Sequence, residues 1–293
     1  MVEIRSHNHA SELISLSGSY LERHESENNL PIGLVYKLAE APHYYGFKSP
    51  LLLSILEDEK VVGVAIMTPP RRIILSKIDT EFLVAMRQLV HHLRGINTRL
   101  PGVVGPAAEA QAFSDCWIEE IFSESARVAM QMRVFEARKV VDMSLPPGRL
   151  RLARPDDHLL MAKWIAKFSE EIREPVDLEG AKNHAERSIK GQELYIWDDG
   201  VPVSIAKESR PTRNGTTINT VYTPPEHRNK GYATSCVWSL TQKMLMDRYS
   251  FCSLYTDLSN PTSNSIYTKI GYVPVGDALV FDFRSDSGLG SKI

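Results

Sequence analysis

A chain of 293 residues exceeds one ordinary domain, and two domains of about 140 residues each fit the usual range. With 43% apolar and 24% charged residues it reads as globular, with enough apolar material for two cores. A net charge of −2 leaves no surplus of Lys and Arg for a nucleic-acid surface. No apolar run nears the roughly 18 residues of a membrane span, and the first seven residues carry no signal-peptide pattern. Cys116, Cys236 and Cys252 lack metal or redox spacing and fit reduced thiols, so the expected setting is the cytoplasm. His7 with His9, and His91 with His92, have no Cys, Asp or Glu partner at ligand spacing, so no metal is expected.

In chain order, the first fifty residues read as helical, broken at Pro31 and ending in an aromatic loop at 41–47. Residues 51–56 and 61–67 are β-type runs joined by the turn 57–60, and 73–75 supply a third short strand. From Thr80 the spacing turns helical, with Phe82, Leu83, Met86, Leu89, Val90 and Leu93 on one stripe. A short strand over 101–106, a helix over 107–130 and a strand over 134–143 complete the first half. Pro146-Pro147-Gly148 halts regular structure and marks the seam. The expected domains are therefore 1–143 and 150–293, with 144–149 as linker.

The second half opens with a strand at 150–153. A helix capped by Asp156 or Asp157 follows and buries Leu160, Trp164, Ile165 and Phe168. A second helix is expected over 179–190. Strands 194–197 and 201–206 join through Asp198-Asp199-Gly200, a hairpin signal, and Asn214-Gly215 leads into the strand 216–222. A basic loop, a helix, a strand at 253–257, a helical segment at 260–269 and a closing strand at 278–283 follow. The Gly/Ser-rich tail 285–293 is expected to fray. Both halves run through a related order of elements, which predicts an internal duplication. The expected fold class is α/β (α+β mixed sheet): mostly antiparallel strands with flanking helices, in two tandem copies.

The stretch 221–238 organises the second half. A strand end, Val221-Tyr222-Thr223, passes through Pro224-Pro225 into a loop holding His227, Arg228, Asn229, Lys230 and Gly231. The helix that follows carries Ala233, Val237, Leu240 and Met244 on one face. Amides at a helix start have no internal partner and attract anions, so a helix entered through such a loop is a phosphate site. Arg228-x-x-Gly231-x-Ala233 resembles the (Arg/Gln)-x-x-Gly-x-(Gly/Ala) signature of the GNAT superfamily of acyl-CoA-dependent N-acetyltransferases. Downstream, Asn260 to Tyr272 resembles that family's second motif, Asn-x-x-Tyr-x-x-x-Gly-(Phe/Tyr), carried here by Asn264, Tyr267, Gly271 and Tyr272.

The resemblance implies a site for acetyl-CoA in the second half. Its pantetheine arm would lie beside the strand ending at Val221, Tyr222 and Thr223, whose N–H groups would also face the oxyanion. Amides from His227 through Ala233 and on to Thr234, including Tyr232, would hold the pyrophosphate, with Arg228 or Lys230 adding charge. Tyr267 would protonate the departing thiolate. Asn260 and Asn264 would contact the cofactor arm, or else cap the helix. Many family members carry a glutamate on the strand before the loop, and 216–222 holds no carboxylate. Glu170 and Glu171 are candidate substitutes, with solvated helix-end charge as their alternative reading, and Glu226 in the loop is another, with a cap as its alternative. In the first half, 73–82 offers no glycine where phosphate would approach backbone, which predicts a copy that has lost the cofactor. The implied activity is acetyl transfer from acetyl-CoA to a small-molecule primary amine, without nucleic acid or membrane. A non-catalytic acyl-CoA-binding module is the alternative. The acceptor and the oligomeric state stay open.

Overall fold

The computed structural model describes residues 1–121 and 124–285. The first series of elements is β1 (Val2–Ser6), α1 (Ala10–Leu21), α2 (Asn29–Glu40), β2 (Leu51–Glu57), β3 (Lys60–Met67), β4 (Ile73–Leu75), α3 (Phe82–Gly95), β5 (Gly102–Pro106), α4 (Ala107–Glu120) and β6 (Glu124–Ala137). The second is β7 (Arg149–Leu152), α5 (His158–Glu171), α6 (Leu178–Lys190), β8 (Leu194–Asp198), β9 (Pro202–Ser209), β10 (Gly215–Tyr222), α7 (Tyr232–Asp247), β11 (Phe251–Asp257), α8 (Pro261–Ile270) and β12 (Val273–Ser285). Element for element, the second series repeats the first.

Three local expectations differ. The chain opens on a strand, because Val2 to Ser6 pair with β2, a long-range ladder that local pattern does not show. Pro31 lies in the first turn of α2, where its missing N–H would have had no partner, so the helix continues through it. The helix expected to reach Met130 stops at Glu120, and β6 covers Glu124–Ala137 in place of the strand expected over 134–143. Ala126, Ala129, Met130 and Gln131 favour a helix locally, yet ladder pairing wins: the Gln131 carbonyl accepts the Leu258 N–H at 2.9 Å. Residues 286–293, most of the tail expected to fray, lie outside the described residues.

Packing divides the chain into two units that cross its linear halves. The first comprises Met1–Val134, Thr256–Asn260 and the chain from Pro274; the second comprises Phe135–Tyr255 and Pro261–Val273. In the first unit the strands run β1-β2-β3-β4-β5-β12-β6, with β4 and β5 parallel. The last strand of the second series thus pairs with β5, Ala278 opposite Pro106 through Asp282 opposite Gly102. Gly102 permits that approach, since a Cβ there would stand 1.9 Å from the Phe281 carbonyl oxygen. Phe281 and Phe283 complete a core with Phe113 and Trp117 of α4 and Met86 and Leu89 of α3. The other face packs Leu13, Leu21, Ile32 and Val35 of α1 and α2 on Leu52, Val64 and Ile66.

In the second unit the order is β11-β10-β9-β8-β7, with the end of β6 beside β11. β10 and β11 are parallel, whereas β7 to β10 are antiparallel. One face buries Cys236, Val237, Leu240 and Met244 of α7 and Tyr267 and Ile270 of α8. The other buries Met161, Trp164 and Ile165 of α5 and Ala181 and Ala185 of α6. Asp177 caps α6, its carboxylate accepting the Gly180 N–H at 2.7 Å. Among the described residues, no helix is long and apolar enough to cross a membrane.

Candidate active site

The strand that the sequence singles out is bent where its chemistry is expected. β10 follows β9 in regular register from Thr217 opposite Ser209 to Asn219 opposite Lys207, and then Tyr222 stands opposite Ile205. Three steps on β10 match two on β9, so one extra residue is inserted. Thr220 takes the strain at φ 50°, its N–H held by Asn219 Oδ1 at 2.6 Å. Parallel pairing with β11 covers only Gly215–Thr217 against Phe251–Ser253 among the described residues. Beyond it β10 and β11 part, leaving a wedge along Ile218–Tyr222 whose strand edge can pair with an extended ligand.

The end of β10 is fixed by side chains. Ser204 of β9, fully buried, donates to the Tyr222 carbonyl at 3.2 Å and shares a hydrogen bond with Thr223 Oγ1 at 2.9 Å. The Tyr222 ring lies against Trp164 of α5, with centroids 6.2 Å apart. Arg228 Nε donates to the Thr223 carbonyl at 2.9 Å, its guanidinium over the Tyr222 ring and its Nη2 on Glu171 Oε1 at 2.5 Å.

The chain then makes one 3₁₀ turn, Pro225–His227, in which the His227 and Arg228 amides bond the Pro224 and Pro225 carbonyls. Asn229 and Gly231 follow at φ 62° and 81°. Gly231 is the N-cap of α7, and only a residue without a Cβ takes that backbone at no cost. It also has no side chain to cap the helix, so the amides of Tyr232, Ala233 and Thr234 have neither a side-chain cap nor an intrahelical acceptor. Amides left open in this way, at the positive end of a helix dipole, favour a negative group placed before them. Lys230 Nζ bonds the Glu226 carbonyl at 3.2 Å. Tyr232 donates to Asp199 Oδ2 at 2.6 Å and pins the start of α7 to the β8–β9 turn.

Tyr267 of α8 is 8% exposed and tilts against Phe135 and Tyr272, centroids 6.4 and 6.1 Å away. Burial pushes its phenol up to about 12, so it carries its proton throughout the neutral range. Asn264 sits nearly a turn earlier on α8. Asn260 belongs to the segment 256–260 that packs into the first unit. Glu170 pairs with Lys167 at 2.8 Å on the surface, whereas Glu171 is held by Arg228. Ser204 and Asp199 do not stand out in the sequence: Ser204 is a lone hydroxyl between Val203 and Ile205, and Asp199 lies in a turn signal.

The bulged strand, the opened β10–β11 pair and the uncapped helix after it, within a repeated β-α-α-β-β-β-α-β-α-β series, define the GNAT acetyltransferase fold, here in tandem. Residues 204–278, which contain the bulge, the loop and α8, match the FR47-like protein family. The structure is similar to a GNAT-family acetyltransferase from Colwellia psychrerythraea, with TM-score 0.63 and 13% identity over 96% of this chain and 100% of that one. A GCN5-related N-acetyltransferase from Sphaerobacter thermophilus gives TM-score 0.60 and 12% identity over 97% and 96%. A tandem GNAT protein from the clavulanic acid biosynthesis pathway gives 0.55 and 10% over the whole of both chains. No curated sequence matches.

Proposed function

We propose that the chain is an N-acetyltransferase that uses acetyl-CoA to acylate a small-molecule primary amine, with its active site in the second unit. The observation that carries this reading is the positive-φ glycine feeding an uncapped helix directly after a bulged, partly unpaired strand. Those features suit the two ends of the cofactor, with helix-start amides for a diphosphate and a free strand edge for an extended amide arm.

Acetyl-CoA supplies the acyl group when bound. The chain's own groups divide the remaining work. The amides of Tyr232, Ala233 and Thr234 bind negative charge. The strand end Val221–Thr223, held by Ser204 and Arg228, directs backbone donors to the place where an oxyanion forms. Tyr267 keeps a proton ready for a departing thiolate. The proton of the amine leaves to water, since β10 has no carboxylate, Glu170 is tied to Lys167 and Glu171 to Arg228.

We also propose that the first unit binds no cofactor. In its counterpart of the phosphate loop, residues 76–81, the amides of 76–79 are engaged internally. Ser76 N–H bonds the Val64 carbonyl, Lys77 N–H bonds Asn28 Oδ1, Ile78 N–H bonds Glu109 Oε1 and Asp79 N–H bonds the Val62 carbonyl. The missing β10 carboxylate favours a second reading, a non-catalytic acyl-CoA binder. Titration calorimetry with acetyl-CoA and thiol release with a panel of amines separate the two. Binding at one site per chain with thiol release supports the enzyme; binding without thiol release for any amine supports the binder.

A further inference from the structure

Asn219 stands at the β10 bulge with its oxygen turned back to the chain. The Thr220 N–H can only donate, so the Asn219 atom 2.6 Å from it is the carbonyl oxygen Oδ1. Nδ2 is the other end of that planar amide, and it carries N–H donors with no lone pair to offer. Asn219 is partly exposed between Ile218 and Thr220, each 3% exposed. This stretch of the opened strand therefore reaches solvent through an amide that donates.

Ile218 enters the core under α7, so Asn219 lies on the face of α5 and α6, where register sets Lys207 opposite it. Lys207 Nζ donates to Glu193 Oε2 at 3.1 Å and lies 3.4 Å from His184 Nε2 of α6. Burial pushes both groups down, the His184 imidazole to about 4, too weak a base for an alkylammonium proton. On α5, Glu170 is held by Lys167 and Glu171 by Arg228. From β11 come the Ser253 hydroxyl, 3.1 Å from that of Thr217, and Tyr255 two residues on. Glu208 of β9 sits opposite Ile218, on the other face, and accepts from Tyr249 at 2.8 Å. An ammonium arriving at the bulge thus meets donors where it would need a taker for its proton.

We propose that Asn219 determines acceptor specificity and that the acceptor is a weakly basic primary amine, such as an arylamine or a hydrazide, which arrives neutral. The inference rests on the transferase reading above and adds the substrate class to it. The neutral nitrogen forms the C–N bond as the C–S bond breaks. The departing sulfur takes the Tyr267 proton, and the surplus proton on nitrogen passes to water, from which Tyr267 is reprotonated. Magnitudes favour this class. At a pH of about 7.5, an amine titrating near 10.4 is about 0.1% neutral and one near 8 about a quarter neutral, roughly a 200-fold difference. Lower basicity gives back only about tenfold of it, at the Brønsted slope of about 0.4 found for thiolates.

Three pairs of similar size test it on the full chain: aniline with benzylamine, difluoroethylamine with ethylamine, and hexanoic hydrazide with hexylamine. Calorimetry with saturating CoA, in two buffers of different ionisation enthalpy, counts the protons exchanged on binding. Any of the three alkylamines that binds should release about one proton, and aniline none. In thiol-release assays with acetyl-CoA, the weaker base of each reactive pair should show the higher kcat/KM, by about tenfold or more. Asn219→Asp keeps an oxygen for the Thr220 N–H and puts a carboxylate oxygen in place of Nδ2. It should raise kcat/KM for the alkylamine about 100-fold relative to its weakly basic partner, the lower end of what a general base contributes, and suppress the proton release. If that variant fails to fold, the wild-type proton counts still decide. An alkylamine bound without proton release, a preference for the stronger base, or a folded Asn219→Asp that leaves the preference unchanged overturns the inference and leaves the transferase reading standing. Bound CoA with thiol release from none of the amines overturns the transferase reading, and this inference with it.

Discussion

Arg228 and Glu171 are 57 residues apart in sequence and meet at 2.5 Å, joining the end of α5 to the loop that precedes α7. Both side chains are about half exposed, at 41% and 51%, so the pair adds only about 0–1 kcal/mol to stability. Its effect is one of position. The same guanidinium holds the Thr223 carbonyl, and α5 thereby sets the end of β10.

Glu171→Gln is therefore expected to leave the Tm within about 2 °C of wild type and to lower kcat less than about 10-fold, with KM for acetyl-CoA raised. Steady-state kinetics check this. A kcat loss beyond about 100-fold at unchanged KM would instead mark Glu171 as the base.

Gly231→Ala places a Cβ where the nearest atoms, in Pro146, are 3.7 Å away, so the substitution fits sterically. The backbone at φ 81° is still unfavourable for it, by about 1–2 kcal/mol. The variant should fold with a lower Tm, seen by calorimetry. Gly231→Glu should in addition remove CoA binding, because it brings negative charge to the uncapped amides.

Tyr267→Phe should leave the Kd for CoA unchanged and reduce kcat on the order of 100-fold, the contribution of a general acid. Because the folded phenol sits near 12 and the unfolded one near 10, an unfolded chain ionises first as pH rises. The stability from burying the neutral ring is complete below about pH 10 and is lost between there and pH 12. Denaturant titrations across that window should show a shallower loss in the Phe variant.

His184 gives the opposite window. Its folded value near 4 lies below the ordinary 6.5, so below pH 6.5 the unfolded chain binds the extra proton. Stability should fall by roughly 2 kcal/mol as pH drops from 6.5 to 4, and His184→Gln should flatten that slope. Urea midpoints at several pH values measure it.

Ser204→Ala removes the hydrogen bonds to the Tyr222 carbonyl and Thr223 hydroxyl at a fully buried position. A loss of about 1–3 kcal/mol is expected, together with a raised KM for acetyl-CoA because the strand edge is no longer fixed. Thermal denaturation and initial-rate kinetics read the two effects separately.

Local chemistry made much of this protein legible in its sequence. Gly231, followed by an apolar three-four repeat, announces a helix entered through a left-handed residue, and Asn264 with Tyr267 shows the second motif, because both are written within a single turn or loop. Alternation around Asp199-Gly200 and Asn214-Gly215 likewise gave the strands of the second unit. Tertiary structure decided the rest. The pairing of β12 with β5, the strand at Val2–Ser6 and the strand from Glu124 depend on ladders between residues far apart in the chain, for which no local pattern stands proxy. The extra residue at Thr220, the hold of Ser204 on Tyr222 and the meeting of Lys207 with His184 arise in the same way, since cross-strand register and helix docking set which polar groups face each other.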